Sequence, residues 1–139
     1  MPATVIDGKV LAARLREEVA AQVASMEEPP GLATLLVGDD PASEIYVRNK
    51  RRLCTQVGMR DLHRHLRADV GQAELAAIIT ELNADPAVTG ILLQLPLPGH
   101  LRADDLLALI DPDKDVDGLT EASAGRLALR KPGLRPCTP

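Results

Sequence analysis

Gly31-Leu32-Ala33-Thr34-Leu35-Leu36-Val37-Gly38 is an apolar run held between two glycines, with the length and composition of a strand buried on both faces. Asp39-Asp40-Pro41-Ala42 supplies turn chemistry, and Ser43 stands where an N-cap is wanted, with Glu44 well placed in the first helical turn. From Glu44 to Val57 there is neither Gly nor Pro, and Gly58 sits where a left-handed stop belongs. The stretch reads as strand, turn and helix. Tyr46 and Lys50 are four residues apart on that helix, so ring and ammonium share one face. That face lies just beyond the carboxyl end of a strand, where open α/β sheets bind ligands.

Upstream, Thr4-Val5-Ile6 reads as a short strand closed by Asp7-Gly8. Val10, Leu11, Leu15, Val19 and Val23 then recur at helical spacing and predict an amphipathic helix from Lys9 to Ser25. Pro29-Pro30 ends the connection.

Downstream, Met59 to Leu66 is a weaker strand, with Leu62, Arg64 and Leu66 on one side and His63 and His65 on the other. No third ligand accompanies the two histidines, so no metal is assigned to them. Leu75, Ile78, Ile79 and Leu82 stripe one face of a helix from Gln72 to Asn83, which Asp85-Pro86 ends. Gly90-Ile91-Leu92-Leu93-Gln94-Leu95 is a second apolar strand, and Pro96 and Pro98 cannot extend it. Gln94 is the odd residue there: unpartnered inside such a run it would cost about 1–3 kcal/mol. It either meets water at the strand end or faces a polar site. A short helix at Leu106 to Ile110, an acidic turn from Asp111 to Gly118 and a helix from Ser123 to Leu129 complete the pattern. Alternating strands and helices predict an α/β fold, three layers deep, around a mostly parallel sheet with right-handed crossovers.

The 139 residues are one domain's worth, 45% apolar and 26% charged, as in ordinary globular proteins. A net charge of −4, no Trp, no Phe and a single Tyr argue against a nucleic-acid partner. Cys54 and Cys137 have neither metal-ligand spacing nor the density of a disulfide framework. No signal-peptide core is visible, and no apolar run approaches the roughly 20 residues that cross a bilayer. The expectation is an intracellular, soluble chain with no membrane partner.

Asp113-Lys114-Asp115-Val116-Asp117-Gly118 matches the start of a calcium-binding EF-hand loop, but the twelfth position, which needs a bidentate Glu, is Ala124. A solvated acidic turn and a site role for one aspartate both remain open. Dinucleotide and Walker glycine loops are missing, and Ser43 is not in a nucleophile-elbow sequence. A lysine at the strand rim is either a fixed cation or a base, and a lysine held neutral for base work lies about 4 kcal/mol from its solvated state. A lone helical Tyr is as readily half-buried packing as a ligand platform.

Taken together, Val37 to Ser43 with Tyr46-Val47-Arg48-Asn49-Lys50, then Gly90 to Pro98, Lys114 to Gly118 and Pro136-Cys137-Thr138-Pro139 resemble the bifunctional methylenetetrahydrofolate dehydrogenase/methenyltetrahydrofolate cyclohydrolase family. The resemblance runs the length of the chain. It implies NADP-dependent oxidation of methylene-tetrahydrofolate to the methenyl cation and hydrolysis of that cation to formyl-tetrahydrofolate. The setting it implies is one-carbon metabolism serving purine, methionine and histidine biosynthesis, in a cytoplasmic homodimer. By position, Lys50 resembles the catalytic lysine and Tyr46 the residue that packs on the aminobenzoate ring of folate. Gln94 resembles the amide that orients the lysine, and Asp117 the carboxylate that hydrogen-bonds the pterin. Ser43 matches a further substrate position, with Leu93 and Leu95 flanking Gln94 in the folate-contacting strand. A methenyl cation would push a nearby lysine toward its neutral form, and a donor at Gln94 Nε would help hold it there. Whether Lys50 serves as base, acid or electrostatic guide stays open.

The same resemblance makes residues 1–139 the N-terminal folate-binding and catalytic domain of a two-domain enzyme. It expects the Rossmann domain that binds NADP to begin just after Pro139. On that expectation the chain alone has no dehydrogenase activity and binds folate weakly. Two rivals are a folate-binding module without turnover and a calcium-binding structural domain.

Overall fold

The computed structural model describes residues 6–136. Nine elements follow one another: α1 (Gly8–Ala24), β1 (Gly31–Val37), α2 (Pro41–Gln56), β2 (Arg60–Asp61), β3 (Arg64–Leu66), α3 (Gln72–Ala84), β4 (Gly90–Leu93), α4 (Ala103–Leu107) and α5 (Glu121–Ala128). The predicted strand at Thr4-Val5-Ile6 falls mostly outside the described residues, and Ile6 itself is exposed and not in a strand. Asp7, expected to close that strand, instead begins a helix: its carboxylate accepts from the N–H groups of Lys9 and Val10 and caps α1.

β1 is the centre of the sheet, and every recorded strand pairing is parallel. β4 runs along one side of it, with Leu32 opposite Gly90 and Leu35 opposite Leu93. β2 and β3 share the other side in a single register, Gly31 opposite Arg60 and Leu35 opposite Arg64. The expected strand Met59–Leu66 is thus one strand interrupted at Leu62-His63. The interruption has a local cause: His63 Nδ1 lies 3.0 Å from the carbonyl oxygen of Thr34, and the imidazole takes a place in the ladder.

Side-chain alternation along β1 and β4 separates the two faces of the sheet. Ala33, Leu35 and Val37 with Ile91 and Leu93 pack on Leu75, Ile79 and Leu82 of α3 and on Leu106 and Ile110 beyond it. Leu32 and Leu92 turn to the opposite face, toward Leu53 and Cys54 of α2. The three-layer, parallel α/β reading holds. Burial of the core leucines, each contributing about 2–3 kcal/mol on transfer from water, stabilises this arrangement.

The amphipathic helix expected from Lys9 to Ser25 is present as α1, but its apolar stripe is largely uncovered: Val10, Leu11, Leu15 and Val19 are exposed and only Val23 of the helix is buried. Val23 meets the turn at Val57-Gly58, so the C-terminal end of α1 is anchored while the rest lies beside α2 over an open groove. Among the described residues no helix is long and apolar enough to cross a membrane.

Candidate active site

α2 leaves β1 through Gly38, whose φ of +76° turns the chain sharply at the carboxyl end of the strand. The expected cap at Ser43 is in fact Asp40: its carboxylate accepts from Ser43 N–H at 2.8 Å, and Pro41 opens the helix. The N–H and hydroxyl of Ser43 hold the Asp40 carboxyl below the usual carboxylate range. Ser43 is buried at 3% exposure and engaged with this cap. No hydrogen bond joins it to Lys50 or Gln94 among the described residues.

α2 carries Tyr46 and Lys50 along the rim, and Gly58, with φ +87°, ends the helix region as expected. Tyr46 is 65% exposed, so its ring is not a core element. Lys50 reaches the residue just past β4: its ammonium Nζ donates to Gln94 Oε1 at 3.5 Å. Gln94 is placed by the sheet itself, since its N–H donates to the Leu35 carbonyl of β1. Its side-chain amide is oriented by a second bond, Nε2 to the carbonyl oxygen of Leu95 at 2.6 Å. This reverses one expectation. The end of Gln94 that meets Lys50 is an acceptor, because the donor end is spent on Leu95.

The strand expected through Leu95 stops at Leu93. Leu93 is 2% exposed and its side chain belongs to the α3-facing core, so what it offers the rim is backbone. Leu95 lies past the strand, joined to Pro96 by a cis peptide, and its carbonyl serves Gln94.

The acidic segment is tied to its neighbours by Lys114 and Asp115. Lys114 Nζ donates to the carbonyl oxygens of Leu82, Asn83 and Asp85 at 3.1, 2.7 and 2.9 Å, clamping the C-terminus of α3. Asp115 is 3% exposed and accepts from the N–H groups of Gly118, Leu119 and Thr120. Burial pushes its carboxyl up, but the Thr120 N–H and hydroxyl, Ser123 and the Leu119 N–H outweigh it and hold it low. Both oxygens of Asp115 are therefore committed to backbone N–H groups, which takes one carboxylate of the calcium-loop pattern out of use as a ligand. Asp117 is half-buried. The parallel bridge between Ile91 and Asp115 sends the chain in the direction of β4, toward the same rim. No hydrogen bond connects Asp117 to Tyr46, Lys50 or Gln94 among the described residues.

Beside Lys50 opens an apolar groove of about 410 Å³, lined by Leu15 and Val19 of α1, Leu53 and Val57 of α2 and Leu92 of β4. The sequence signal for it was the apolar stripe of α1. Cys54 lines the same groove, where burial, with the Asp61 charge added, pushes its thiol up and away from reactivity. The histidines are spent on backbone as well, His65 Nε2 lying 2.8 Å from the Gly38 carbonyl oxygen. Among the described residues no cluster of three His, Cys, Asp or Glu is arranged for a metal.

Two adjacent crossovers thus bring an amine and an amide together at the rim of the sheet. Residues 6–117 match the family model described as tetrahydrofolate dehydrogenase/cyclohydrolase, catalytic domain. The chain belongs to this tetrahydrofolate dehydrogenase/cyclohydrolase family. It is similar to the bifunctional protein FolD 2 of Frankia casuarinae, 58% identical over 143 aligned residues that take in 100% of this chain and 50% of the relative. Among solved structures of the family, the bifunctional FolD enzyme of Campylobacter jejuni superposes with a TM-score of 0.91 at 42% identity, covering 96% of this chain and 49% of that one. The Trypanosoma brucei methylenetetrahydrofolate dehydrogenase-cyclohydrolase, complexed with NADP cofactor and inhibitor, gives 0.89 at 35% identity, covering 99% and 48%. The chain thus spans about half the length of the family members it matches.

Proposed function

We propose that this chain supplies the folate-binding half of a bifunctional enzyme that oxidises 5,10-methylenetetrahydrofolate with NADP and hydrolyses the methenyl product to 10-formyltetrahydrofolate. The single observation that carries the reading is the Lys50–Gln94 contact at the carboxyl rim of the sheet, inside a chain of that family. Tyr46, one helical turn from Lys50 and largely exposed, offers a ring on which a flat aromatic group can stack. Asp117 supplies a carboxylate able to accept from the N–H donors of a pterin. Leu93, through its backbone, and Leu95 border the place where such a ring would lie. Ser43 enters as the residue that secures the start of α2 and hence the direction of Tyr46 and Lys50.

Lys50 has the chemistry to bind, orient and move a proton. As an ammonium it donates to Gln94 Oε1. Beside a cationic methenyl group it is driven to give up a proton, and the free amine can then take one from an attacking water. Gln94 holds the nitrogen in place through both changes, being itself fixed by Leu35 and Leu95.

The residues present do not fit the dinucleotide. The helix start after β1, the usual seat of a pyrophosphate, carries Asp39, the cap Asp40 and Glu44, which repel phosphate. This reading gives NADP to the part of the relatives that the chain does not span and routes no step through it here. The homodimer and the cytoplasmic setting are carried as part of the same proposal.

The test is a chimera in which this chain replaces the matched half of the Frankia casuarinae relative. It is expected to catalyse both reactions, and Lys50→Met to abolish hydrolysis of methenyl-tetrahydrofolate, followed by its absorbance, while reduced-folate binding by calorimetry persists. Undiminished hydrolysis in Lys50→Met would refute the assignment. Binding without turnover in the unsubstituted chimera would leave a folate-binding module.

A further inference from the structure

At the far end of the chain, the C-terminus of α5 and the segment that follows it curl around a pocket of about 330 Å³ lined by Arg126, Leu127, Arg130, Lys131, Leu134 and Arg135, with Gly133 at its base. Four cationic residues, all exposed, line it, and no carboxylate residue does. Arg126 has a partner outside, Asp113 at 3.3 Å. Among the described residues no carboxylate lies within ion-pair distance of Arg130, Lys131 or Arg135. The protein as a whole is acidic, at −4, and residues 126–135 carry four of its sixteen Lys and Arg residues.

Helix capping is the ordinary reason for cations at a helix C-terminus. Here that role is already filled: the carbonyls of Gly125, Arg126 and Leu127 accept from the backbone N–H groups of Leu129, Lys131 and Arg130. The guanidinium and ammonium groups are therefore not needed as caps. Arg130 also holds a left-handed backbone, φ +54°, which closes the hook around the pocket. The stem of Arg126 runs over Gly133, where a Cβ would meet its Cδ at 3.3 Å.

We propose that this pocket is a second binding site, sharing no lining residue with the Lys50 groove, for a compact polyanionic group of a small molecule. Arginine forks and a lysine point charge suit phosphoryl oxygens and clustered carboxylates alike. The site stands independently of the folate reading, and neither falls with the other.

Isothermal titration of the chain with tripolyphosphate and, separately, with citrate tests it, alongside amide NMR shifts at residues 126–135. One-to-one binding is expected, with tighter tripolyphosphate naming a phosphoryl ligand and tighter citrate a carboxylate one. Arg130→Gln/Arg135→Gln is expected to weaken binding by at least roughly tenfold, the loss of charge-assisted bonds. Arg14→Gln/Arg67→Gln, which removes the same charge elsewhere, is expected to change it less than about twofold at moderate salt. Equal weakening by the two pairs, or no binding of either anion at about 1 mM, a level at which a four-cation site should be occupied, would overturn the proposal.

Discussion

Lys50 and Gln94 meet nitrogen to oxygen: the ammonium donates to Gln94 Oε1 at 3.5 Å, and the amide nitrogen of Gln94 points the other way, to the Leu95 carbonyl at 2.6 Å. The amide is thereby locked as an acceptor toward the lysine. Gln94→Glu removes the donor that Leu95 uses and sets an anion against the ammonium. In the chimera, methenyl hydrolysis is expected to fall at least about tenfold through kcat, because the proton leaves an ion pair less readily. Gln94→Ala, which adds no charge, is expected to fall less. Steady-state kinetics on the two variants checks the order.

Lys114→Met tests the clamp on α3. Three carbonyl oxygens lose a charged donor, and urea unfolding is expected to show a loss of about 2–3 kcal/mol. A change within a few tenths would mean that water replaces the ammonium at no cost.

Acid should reach the fold through Asp115. Its folded carboxyl is held low by the Thr120 N–H and hydroxyl, Ser123 and the Leu119 N–H, against the opposing effect of burial. The unfolded chain takes up the proton first, so the contribution is fully present above about pH 4 and is lost as the pH drops through the lower folded value. Asp115→Asn is expected to be less stable at neutral pH and to lose less on acidification. Denaturation midpoints from pH 7 to pH 2.5 decide it.

Gly31→Ala places a methyl against the Ala87 carbonyl oxygen and the Leu62 side chain. Backbone cannot retreat there, because Gly31 also pairs with Arg60 on one side and Thr89 on the other. A loss of about 3 kcal/mol, at the upper end of overpacking costs, is expected from chemical denaturation.

The strand–turn–helix unit from Gly31 to Gly58 was legible because its signals are local: an apolar run, a turn, an uninterrupted helix and a left-handed stop. Its cap was misplaced, since Asp40 and Ser43 are both good capping types and only the backbone angle at Asp40 separates them. The role of Lys114 was not legible at all. Its partners lie some thirty residues back in α3, and no periodicity records such a contact. The stripe on α1 was legible as a helix face and no further, for a related reason: spacing reports which residues share a face, and says nothing of what that face meets. The pairing of Lys50 with Gln94 was reached through resemblance, while the direction of the amide needed the Leu95 carbonyl.

β1 has one more consequence. The lysine rides on the helix that emerges from this strand, and the glutamine is pinned by its N–H to the same strand at Leu35. Both halves of the pair are thus measured from one ruler. A slip of either neighbour along β1 would open or close the gap between them by a residue step of about 3.3 Å, so their separation is written into this chain's own sheet, and whatever comes to lie over the rim finds that spacing already set.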